Sequence, residues 1–457
     1  MENPFFKSNF LNSIFKKKIL LSHSKGIDKV SAEKAHEKNL LDFSEISNKC
    51  RNQTFKFSPY LELLKVKNRH SVPRMISIPT VRDKLVLLSL KEFLHVRFKE
   101  RVNKRLPNTY LQAVKRFIDI HKTSSLYYLK VDINNFYGEI DHKVLLPFID
   151  NKKVPKYILT LIIKSIENPT VPPNYSKKEL TKYLNTKGVP QGLSISNILA
   201  EIYLTELDSE YAGKNYLYLR YVDDIFILMT TNRISHIEEG IVRKLSGLGL
   251  KLNNEKTKKG NLSINKVTFL GYDILGNTVS VSENNFHKII SKMANKLTWL
   301  RKCIAEPTYA PAWIKTTRRL REVFIEEINE KITGAKKERQ FYGWMFYFIE
   351  MNDIDILFKL DSIVEEMMLK SKLFTKRPRK LKRFVRAYFE IKHNEGGNYL
   401  VNYNAIKTLR QKRMFLLRRG KIDPDVYYSD DYLQTIYDRV VKRNIDDLDK
   451  DINYKYL

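Results

Sequence analysis

The sequence predicts a mixed α+β fold, in which a small antiparallel sheet is followed by amphipathic helices. Residues 216–221 and 225–229 are apolar runs rich in Tyr, Leu, Ile and Phe, which favour strands, and a tight turn must join them. Apolar residues then recur at spacings of three and four between Phe286 and Leu300, as one face of a helix requires. These patterns indicate a sheet region followed by a helical region.

Two adjacent carboxylates, Asp223 and Asp224, lie at the tip of the predicted hairpin. Because a buried pair of like charges is unfavourable unless a cation compensates it, this position suits a metal ion. A third carboxylate is then expected, and Asp132 follows another apolar run at residues 126–131. Three such aspartates can hold two Mg²⁺ ions roughly 4 Å apart, an arrangement used in phosphoryl transfer. A solvated turn is the alternative interpretation of Asp223 and Asp224 taken alone.

A loop punctuated by glycine and proline lies between these acidic positions. Residues 188–197 read Gly-Val-Pro-Gln-Gly-Leu-Ser-Ile-Ser-Asn, and they lead into an apolar helix at residues 198–207. Because glycine lets a backbone approach a ligand closely, the loop is predicted to border a binding site.

The order of these motifs resembles the palm of a reverse transcriptase. The matching segments, in chain order, are the Asp132 strand, the Pro-Gln-Gly loop at 190–192, the Tyr-Val-Asp-Asp hairpin at 221–224, residues 247–256 and residues 267–272. Upstream, residues 74–80 look like the fingers segment that holds the incoming nucleotide. The resemblance covers roughly residues 26–351. It implies a right-hand polymerase with fingers, a palm built from an antiparallel sheet with helices, and a helical thumb.

The resemblance also implies a metal site and an acid. Asp132 and Asp223 would be the leading ligands of two Mg²⁺ ions, for which Mn²⁺ can substitute. Asp224 would be a more peripheral third carboxylate, and the carbonyl of Ile133 a backbone ligand. Lys256 would protonate the departing pyrophosphate, with a solvated surface lysine as the alternative interpretation.

Other residues are expected to bind the nucleotide and the primer-template. Arg74 is the candidate for the triphosphate, because a guanidinium can bind two phosphate oxygens at once. Lys65 and Arg82 are the alternatives for that contact. The resemblance places Gln191 and Gly192 near the template base and the primer.

Tyr137 matches the position of an aromatic residue that lies under the sugar in this family. A ring there would collide with a ribose 2′-hydroxyl, so the resemblance implies a preference for deoxynucleotides. Phe136 is expected to be a core residue, because neighbouring residues on an extended segment face opposite ways.

The charge of the chain agrees with a nucleic-acid partner. The 457 residues include 82 lysines and arginines against 51 aspartates and glutamates, a net charge of +31. A cationic membrane-surface protein is the alternative, but no signal peptide and no bilayer-spanning apolar run is expected, which favours a cytoplasmic location. Cys50 and Cys303 are too few for a disulfide framework or a cysteine-rich zinc site.

Charge and pattern predict five segments along the chain. They are an N-terminal basic and aromatic segment (1–25), fingers (26–125), palm (126–275), a helical thumb (276–371) and a separate, helical and basic C-terminal extension (372–457). The first thumb helix carries Lys288, Lys292 and Lys296 opposite its apolar face. That face suits contacts with the phosphates of a duplex.

The C-terminal extension opens with seven basic residues among the eleven at 376–386. Arg377, Arg379, Lys382 and Arg383 are predicted to bind nucleic acid, because nearby aromatic residues can stack on bases. A structured noncoding RNA that serves as scaffold and template is the expected partner. A solvated charge run or a protein–protein interface is the alternative interpretation.

Among reverse transcriptases, the chain looks most similar to the bacterial defence-associated or abortive-infection group. Leu-Ser-Ile-Ser follows Pro-Gln-Gly, and Asn197 stands where many relatives have proline; retron and group II intron enzymes are more distant. The resemblance implies an RNA-directed DNA polymerase that uses deoxynucleoside triphosphates to copy an associated noncoding RNA into DNA in antiphage defence. Untemplated synthesis, synthesis primed by a C-terminal tyrosine, and an RNA-binding scaffold with secondary catalysis are alternatives, and homo-oligomerisation is left open.

Overall fold

The computed structural model describes residues 4–20, 22, 24–66, 73–102, 106–394 and 396–452. It divides into two compact units. The first unit comprises Met1–Lys104 and Tyr127–Gly260, and the second comprises Arg105–Leu126 and Asn261–Leu457. Within the described ranges, every helix is too short or too polar to span a lipid bilayer.

The described residues form eighteen α-helices, numbered α1 to α18 in chain order. They are Ser8–Ile14, Ala32–Glu37, Phe43–Arg51, Val81–Arg97, Pro107–Ile120, Phe136–Glu139, His142–Asp150, Lys156–Glu167, Ser196–Tyr203, Thr205–Tyr211, Ile234–Gly247, Glu283–Ala305, Thr317–Thr333, Trp344–Tyr347, Asp355–Lys370, Phe384–His393, Leu409–Arg418 and Asp430–Ile452. The two longest, α12 and α18, have 23 residues each and lie in the second unit. Helix α12 contains the segment from Phe286 to Leu300 for which the sequence predicts a helix.

The described strands, β1 to β13, build four small sheets. They are Tyr60–Lys65, Arg74–Ile78, Tyr127–Asp132, Thr170–Val171, Leu217–Tyr221, Asp224–Met229, Lys258–Asn261, Val267–Phe269, Tyr272–Leu275, Thr278–Val281, Ala335–Lys337, Gln340–Tyr342 and Val401–Asn402. The predicted α+β class is confirmed.

The central sheet of the first unit has the strand order β5-β6-β3-β7. Strands β3 and β6 are antiparallel, and their register runs from Tyr127 opposite Met229 to Asp132 opposite Asp224. Residues 225–228 of β6 are fully buried, as expected for a strand with neighbours on both sides and apolar side chains on both faces. This pairing fixes the acidic ends of two strands side by side.

The N-terminal segment packs on the first unit through its aromatic and aliphatic residues. Phe6, Leu11 and Phe15 are buried, and the run of three lysines at 16–18 is exposed. The side chain of Ser47 in α3 also donates a hydrogen bond to the Phe6 carbonyl at 2.6 Å. The basic side of the segment therefore lies outward.

The C-terminal extension is not a separate appendix, which corrects the sequence-based prediction. Strand β13 pairs in parallel with β11, and the fully buried Ala335 of β11 belongs to a core cluster with Phe415, Leu416, Tyr437 and Leu448. Because α17 and α18 are amphipathic, their apolar faces need a partner, and they find it on residues that the prediction assigned to the thumb.

A buried charge network also joins the extension to α13. Glu330 of α13 accepts hydrogen bonds from the side chains of Tyr403, Arg419 and Asn444, all of which lie after residue 400. A buried carboxylate is tolerated only when such partners compensate it, so α13 and the extension form one structural unit.

Two segments group with residues that are distant from them in the sequence. Residues 105–126 and 261–275, which the sequence analysis assigned to the fingers and the palm, lie in the second unit, and the boundaries of fingers and palm stay predictions. The Leu262 amide donates to the Leu126 carbonyl at 2.8 Å, and the rings of Tyr272 and Tyr347 stack at 6.2 Å. These contacts are made between residues far apart in the sequence, so local patterns did not reveal them.

Candidate active site

The ends of three strands bring Asp132, Asp223 and Asp224 together. Asp132 ends β3 and lies opposite Asp224, the first residue of β6, and Tyr221 of β5 lies opposite Asp224 on the other side. The Ile133 amide donates to the Asp223 carbonyl at 3.4 Å, which ties the end of β3 to the turn. The hairpin and the third aspartate that the sequence suggested are therefore adjacent in the first unit.

The turn between β5 and β6 has only two residues, Val222 and Asp223. Val222 adopts a φ of +58°, and Asp223 has no positive φ, which is the pattern of a type II′ hairpin turn. A β-branched residue in this region is strained. The turn therefore needs contacts that hold it in place.

Arg220 supplies one such contact, and the sequence analysis did not select this residue. Its Nη1 donates to the Val222 carbonyl at 2.9 Å, and its side chain is only 5% exposed. Its Nε and Nη2 bind Asp208 of α10 at 2.7 and 2.5 Å, and Nη2 also binds Glu201 of α9 at 2.6 Å. A lone arginine inside an apolar strand was the available signal. Arg220 thus links the acidic turn to the two helices that pack beneath it.

The charges of the three aspartates act on one another. Burial, and then the charges of Asp224 and Asp132, raise the pKa of Asp223 from 3.8 to about 6, against the opposing influence of a backbone hydrogen bond and of Arg74. The charged form of the Asp223 carboxylate is therefore unfavourable unless a nearby cation compensates it.

Two lysines lie against the other two carboxylates. The Nζ of Lys256 donates to Oδ1 of Asp132 at 3.0 Å, and the Nζ of Lys130 lies 3.7 Å from Oδ1 of Asp224. Lys256 is about half exposed. The structure thus places Lys256 within the acidic cluster, and its role as an acid stays a prediction.

The acidic cluster offers the kind of ligand atoms that a metal ion needs. Carboxylate oxygens are the ligands that Mg²⁺ prefers. In the part of the chain that the structure describes, however, no group of three or more His, Cys, Asp or Glu side chains is arranged to hold a metal ion. Lys256 binds one oxygen of Asp132, and Lys130 lies near one oxygen of Asp224, so these amines compensate part of the negative charge.

The Pro-Gln-Gly loop is docked on the strand that begins with Arg74. The Gln191 carbonyl accepts a hydrogen bond from the Ser77 amide of β2 at 2.7 Å. Gly192 has a φ of +103°, and a Cβ there would lie 2.7 Å from a methyl carbon of Ile76 and 3.0 Å from the Ser77 carbonyl. Glycine is therefore needed at 192 for this close approach, in addition to any contact with template or primer.

Arg74 is distinguished from the two alternatives for the triphosphate contact. Arg82 binds Asp83 at 2.9 Å and the Lys56 carbonyl at 2.8 Å, and its guanidinium lies 4.9 Å from the centre of the Phe55 ring. Those contacts commit Arg82 to the fold. Lys65 is exposed and lies opposite Arg74 in the β1–β2 register. The charge of Arg74 acts on the acidic cluster, because it lowers the pKa of Asp223.

Tyr137 lies on a short helix, α6, instead of the extended segment that the sequence suggested. Phe136 and Tyr137 are both buried, because the helix begins directly after Asn135, which adopts a left-handed φ of +43°. The Tyr137 hydroxyl donates to Oδ1 of Asn197 at 2.8 Å. Asn197, the residue singled out in the loop, therefore fixes the Tyr137 ring, and the sugar-discriminating role of that ring stays a prediction.

The predicted thumb lysines are less available than the sequence suggested. Lys296 binds Glu327 of α13 at 2.7 Å, and Lys421 binds the same carboxylate at 2.9 Å. Although burial acts in the opposite direction, these two lysines hold the pKa of Glu327 down at about 2. Lys288 and Lys292 are half-buried, and Lys292 and Lys296 both act on Asp447 of α18. This face of α12 therefore meets acidic residues of its own unit.

The predicted nucleic-acid contacts in the extension fall into two classes. Arg377 binds Glu365 at 3.3 Å and the Leu381 carbonyl at 2.8 Å, and Lys382 donates to the Tyr399 carbonyl. Arg379 and Arg383 are exposed. The first pair supports the local fold, whereas the second pair is accessible to a ligand.

Comparison with solved structures gives telomerases as similar chains. Apo telomerase from Candida tropicalis has a TM-score of 0.44 at 13% identity, over 88% of this chain and 68% of that chain. Telomerase from the same species in complex with a TWJ fragment of telomeric RNA has a TM-score of 0.39 at 15% identity, over 78% of this chain and 68% of that chain.

Comparison with curated proteins gives relatives of low identity. The Putative COX1/OXI3 intron 2 protein of Saccharomyces cerevisiae is 24% identical over 181 residues, which are 38% of this chain and 20% of that protein. Protein YkfC of Escherichia coli is 21% identical over 248 residues, 44% of this chain and 63% of that protein. The chain thus spans less than two thirds of the length of either relative. Residues 66–274 match the family described as Reverse transcriptase (RNA-dependent DNA polymerase).

Proposed function

We propose that this chain is an RNA-directed DNA polymerase that joins deoxynucleoside triphosphates by a two-metal mechanism. The observation that carries the proposal is the register of the central sheet, which sets Asp132 opposite Asp224 and places Asp223 on the adjoining turn. The raised pKa of Asp223 adds support, because a scaffold without chemistry has no need to keep like charges so close. The match of residues 66–274 to reverse transcriptases agrees with this activity.

The proposed mechanism divides the work among residues of the first unit. Asp132 and Asp223, with Asp224 and the Ile133 carbonyl, would hold Mg²⁺ or Mn²⁺, which supplies charge neutralisation at the reacting phosphate. Arg74 binds the triphosphate, and the docking of residues 191–192 on β2 keeps its strand in place. Tyr137, held by Asn197, excludes a ribose 2′-hydroxyl from the site.

Primer extension tests this proposal with the parent protein alone. A DNA primer is annealed to RNA and DNA templates of one sequence and supplied with deoxynucleotides or ribonucleotides in Mg²⁺. We expect extension with deoxynucleotides on the RNA template, and sequencing should give its complement. Products whose sequence is independent of the template would contradict the proposal and favour untemplated synthesis.

We further propose that the template in cells is an associated, structured noncoding RNA, and that the DNA product serves antiphage defence. The support is the net charge of +31 and the resemblance of residues 193–197 to defence-associated reverse transcriptases. Sequencing of the RNA and DNA that copurify with the protein should find one abundant RNA and DNA complementary to it. A mixture that mirrors the total cellular RNA would contradict a dedicated template.

A further inference from the structure

A cleft of about 940 Å³ lies in the second unit, outside the candidate active site. Helices α13, α15 and α16 and the loop at residues 377–383 line it. The lining combines basic side chains with large aromatic side chains, and this combination is not explained by the structure of the unit alone.

Three basic residues of the cleft make no contact that the fold requires. The side chains of Arg379, Lys380 and Arg383 are exposed, and none of them has a hydrogen bond or ion pair with another residue of the described ranges. Arg377 and Lys382 differ, because Glu365 and the Tyr399 carbonyl hold them. Three of the five basic residues in this loop are therefore available to an anionic ligand.

The backbone of the loop is held rigidly, so these three charges are already positioned. The side chain of Asn329 donates to the Lys380 carbonyl at 2.8 Å and accepts from the Lys382 amide at 2.7 Å. The Arg383 amide donates to the Tyr399 hydroxyl at 2.7 Å. Ligand binding therefore does not have to order this backbone, and the corresponding loss of conformational entropy is avoided.

Acidic residues in the cleft do not cancel these charges. Asp361 accepts the amides of Phe384 and Val385 at 2.7 and 3.2 Å, so it caps the start of α16. Glu365 binds Arg377. Glu326 also lines the cleft, so the lining carries six basic side chains against three carboxylates. The site therefore favours an anion.

Two aromatic rings give the cleft a second recognition element. Phe358 of α15 is 57% exposed and Phe389 of α16 is 43% exposed, and both lie in the lining. Because both rings are exposed beside basic side chains, a ligand that enters the cleft can reach them. Rings of this kind stack on unpaired bases, whatever the base.

We infer that this cleft binds a single-stranded segment of nucleic acid. Its phosphates contact Arg379, Lys380 and Arg383, and its bases stack on Phe358 and Phe389. A duplex fits the rings poorly, because its bases are already stacked on one another. The inference rests on the proposed function, since a polymerase must handle unpaired template or product strands.

Binding of fluorescent single-stranded RNA and DNA oligonucleotides to the full chain, measured by anisotropy over a range of salt concentrations, tests the inference. The triple variant Arg379→Gln, Lys380→Gln, Arg383→Gln should bind at least about tenfold more weakly, and its salt dependence should fall by about two counterions. The control carries Lys407→Gln, Arg410→Gln and Arg418→Gln, three exposed residues of the same extension. An equal loss in this control would overturn the inference.

A second variant tests the proposed contacts of the aromatic rings. Phe358→Ala with Phe389→Ala should weaken binding at least about fivefold without changing the salt dependence, because stacking releases no counterions. Tyr427→Ala removes an 86% exposed ring elsewhere in the extension and is the control. Unchanged binding by the double variant would overturn the inference. So would equal displacement of the oligonucleotide by poly-glutamate at the same charge concentration, which would indicate an acidic protein partner.

The experiment distinguishes a failure of the cleft inference from a failure of the proposed polymerase function. Binding is measured without deoxynucleotides, and it is repeated in protein carrying Asp223→Asn. If polymerisation fails while the cleft variants lose affinity as expected, the proposed function is wrong and the binding site stands. If polymerisation succeeds while those variants bind like the parent, only the cleft is wrong. Thermal unfolding of each variant, with Arg383→Gln alone as the mildest change, verifies that the unit remains folded.

Discussion

Arg220 connects the strained turn to the acidic helices beneath it, and its replacement tests that positioning role. Arg220→Gln would leave Asp208 and Glu201 without their buried cation and should lower the free energy of unfolding by about 3–5 kcal/mol. Arg220→Lys keeps the charge but lacks the planar fork that also reaches the Val222 carbonyl.

We expect Arg220→Lys to lower kcat at least about tenfold while the KM for deoxynucleotides stays within about twofold, because Asp223 shifts on its turn. Steady-state primer extension and thermal unfolding measure the two effects. Arg233→Lys, an exposed arginine of the same unit, is the control. A normal kcat in Arg220→Lys would exclude a positioning role.

The raised pKa of Asp223 predicts how stability depends on pH when no metal is bound. The unfolded chain releases this proton near pH 4, whereas the folded chain keeps it until about pH 6. The folded state binds more protons in that window, so the parent should lose stability as the pH rises through it. Asp223→Asn removes the penalty, and above pH 6 its free energy of unfolding should exceed that of the parent by up to about 3 kcal/mol.

Urea unfolding in a chelator between pH 4 and pH 8 measures this difference. Asp150→Asn replaces an exposed aspartate of the same unit and should follow the parent. Parallel curves for the parent and Asp223→Asn across the whole range would show that the acidic cluster is not strained.

Tyr137 is the residue whose ring is predicted to select deoxynucleotides. Tyr137→Val should admit ribonucleotides and lower the ratio of deoxynucleotide to ribonucleotide incorporation at least about tenfold, because the collision with the 2′-hydroxyl is lost. Tyr137→Phe removes the hydroxyl that donates to Asn197 and should keep most of the selectivity. Competition assays with paired nucleotides measure the ratio. If the valine variant is as selective as the parent, the gate lies elsewhere.

At the scale of elements, the contact of the Pro-Gln-Gly loop with β2 depends on Gly192. Gly192→Ala would bring a Cβ to within 2.7 Å of Ile76 at a φ of +103°, which should destabilise the docked loop by about 1–3 kcal/mol. Because β2 carries Arg74, we expect a higher KM for deoxynucleotides.

Gly213→Ala provides a matched control for that experiment. Gly213 has a positive φ of +74°, but a Cβ there meets nothing within 4 Å. It therefore carries the backbone strain without the clash. Equal effects of the two substitutions on the KM would mean that the loop contact has no part in nucleotide binding.

The arrangement of the C-terminal helices also reduces the number of tyrosines that are candidates for priming DNA synthesis. Tyr437 is buried in the cluster that joins α18 to β11, and only 6% of its surface is exposed. Tyr427 and Tyr432 are exposed. Tyr454 and Tyr456 are C-terminal tyrosines that lie outside the described residues. Protein priming thus stays a prediction that concerns the exposed positions.

For the whole molecule, the sequence revealed the acidic centre better than its surroundings. Asp132, Asp223 and Asp224 were found because a strand, a two-residue turn and their apolar flanks are local patterns. Arg220 was missed because its partners Asp208 and Glu201 come from other elements. The separate extension was a wrong prediction for the same reason, since Glu330 and Arg419 are 89 residues apart. Contacts between distant segments cannot be read from local periodicity.

The central claim is that Asp132, Asp223 and Asp224 carry out RNA-templated DNA synthesis. Single-turnover extension of a DNA primer on a saturating RNA template, with Mg²⁺ and one deoxynucleotide, tests it most directly. We expect Asp132→Asn and Asp223→Asn each to lower the rate at least about a thousandfold. Each substitution removes a metal ligand, and the metal ions stabilise the charge of the transition state by several kcal/mol. Asp150→Asn should extend the primer like the parent. An undiminished rate in either aspartate variant, in protein shown to be folded, would contradict the account.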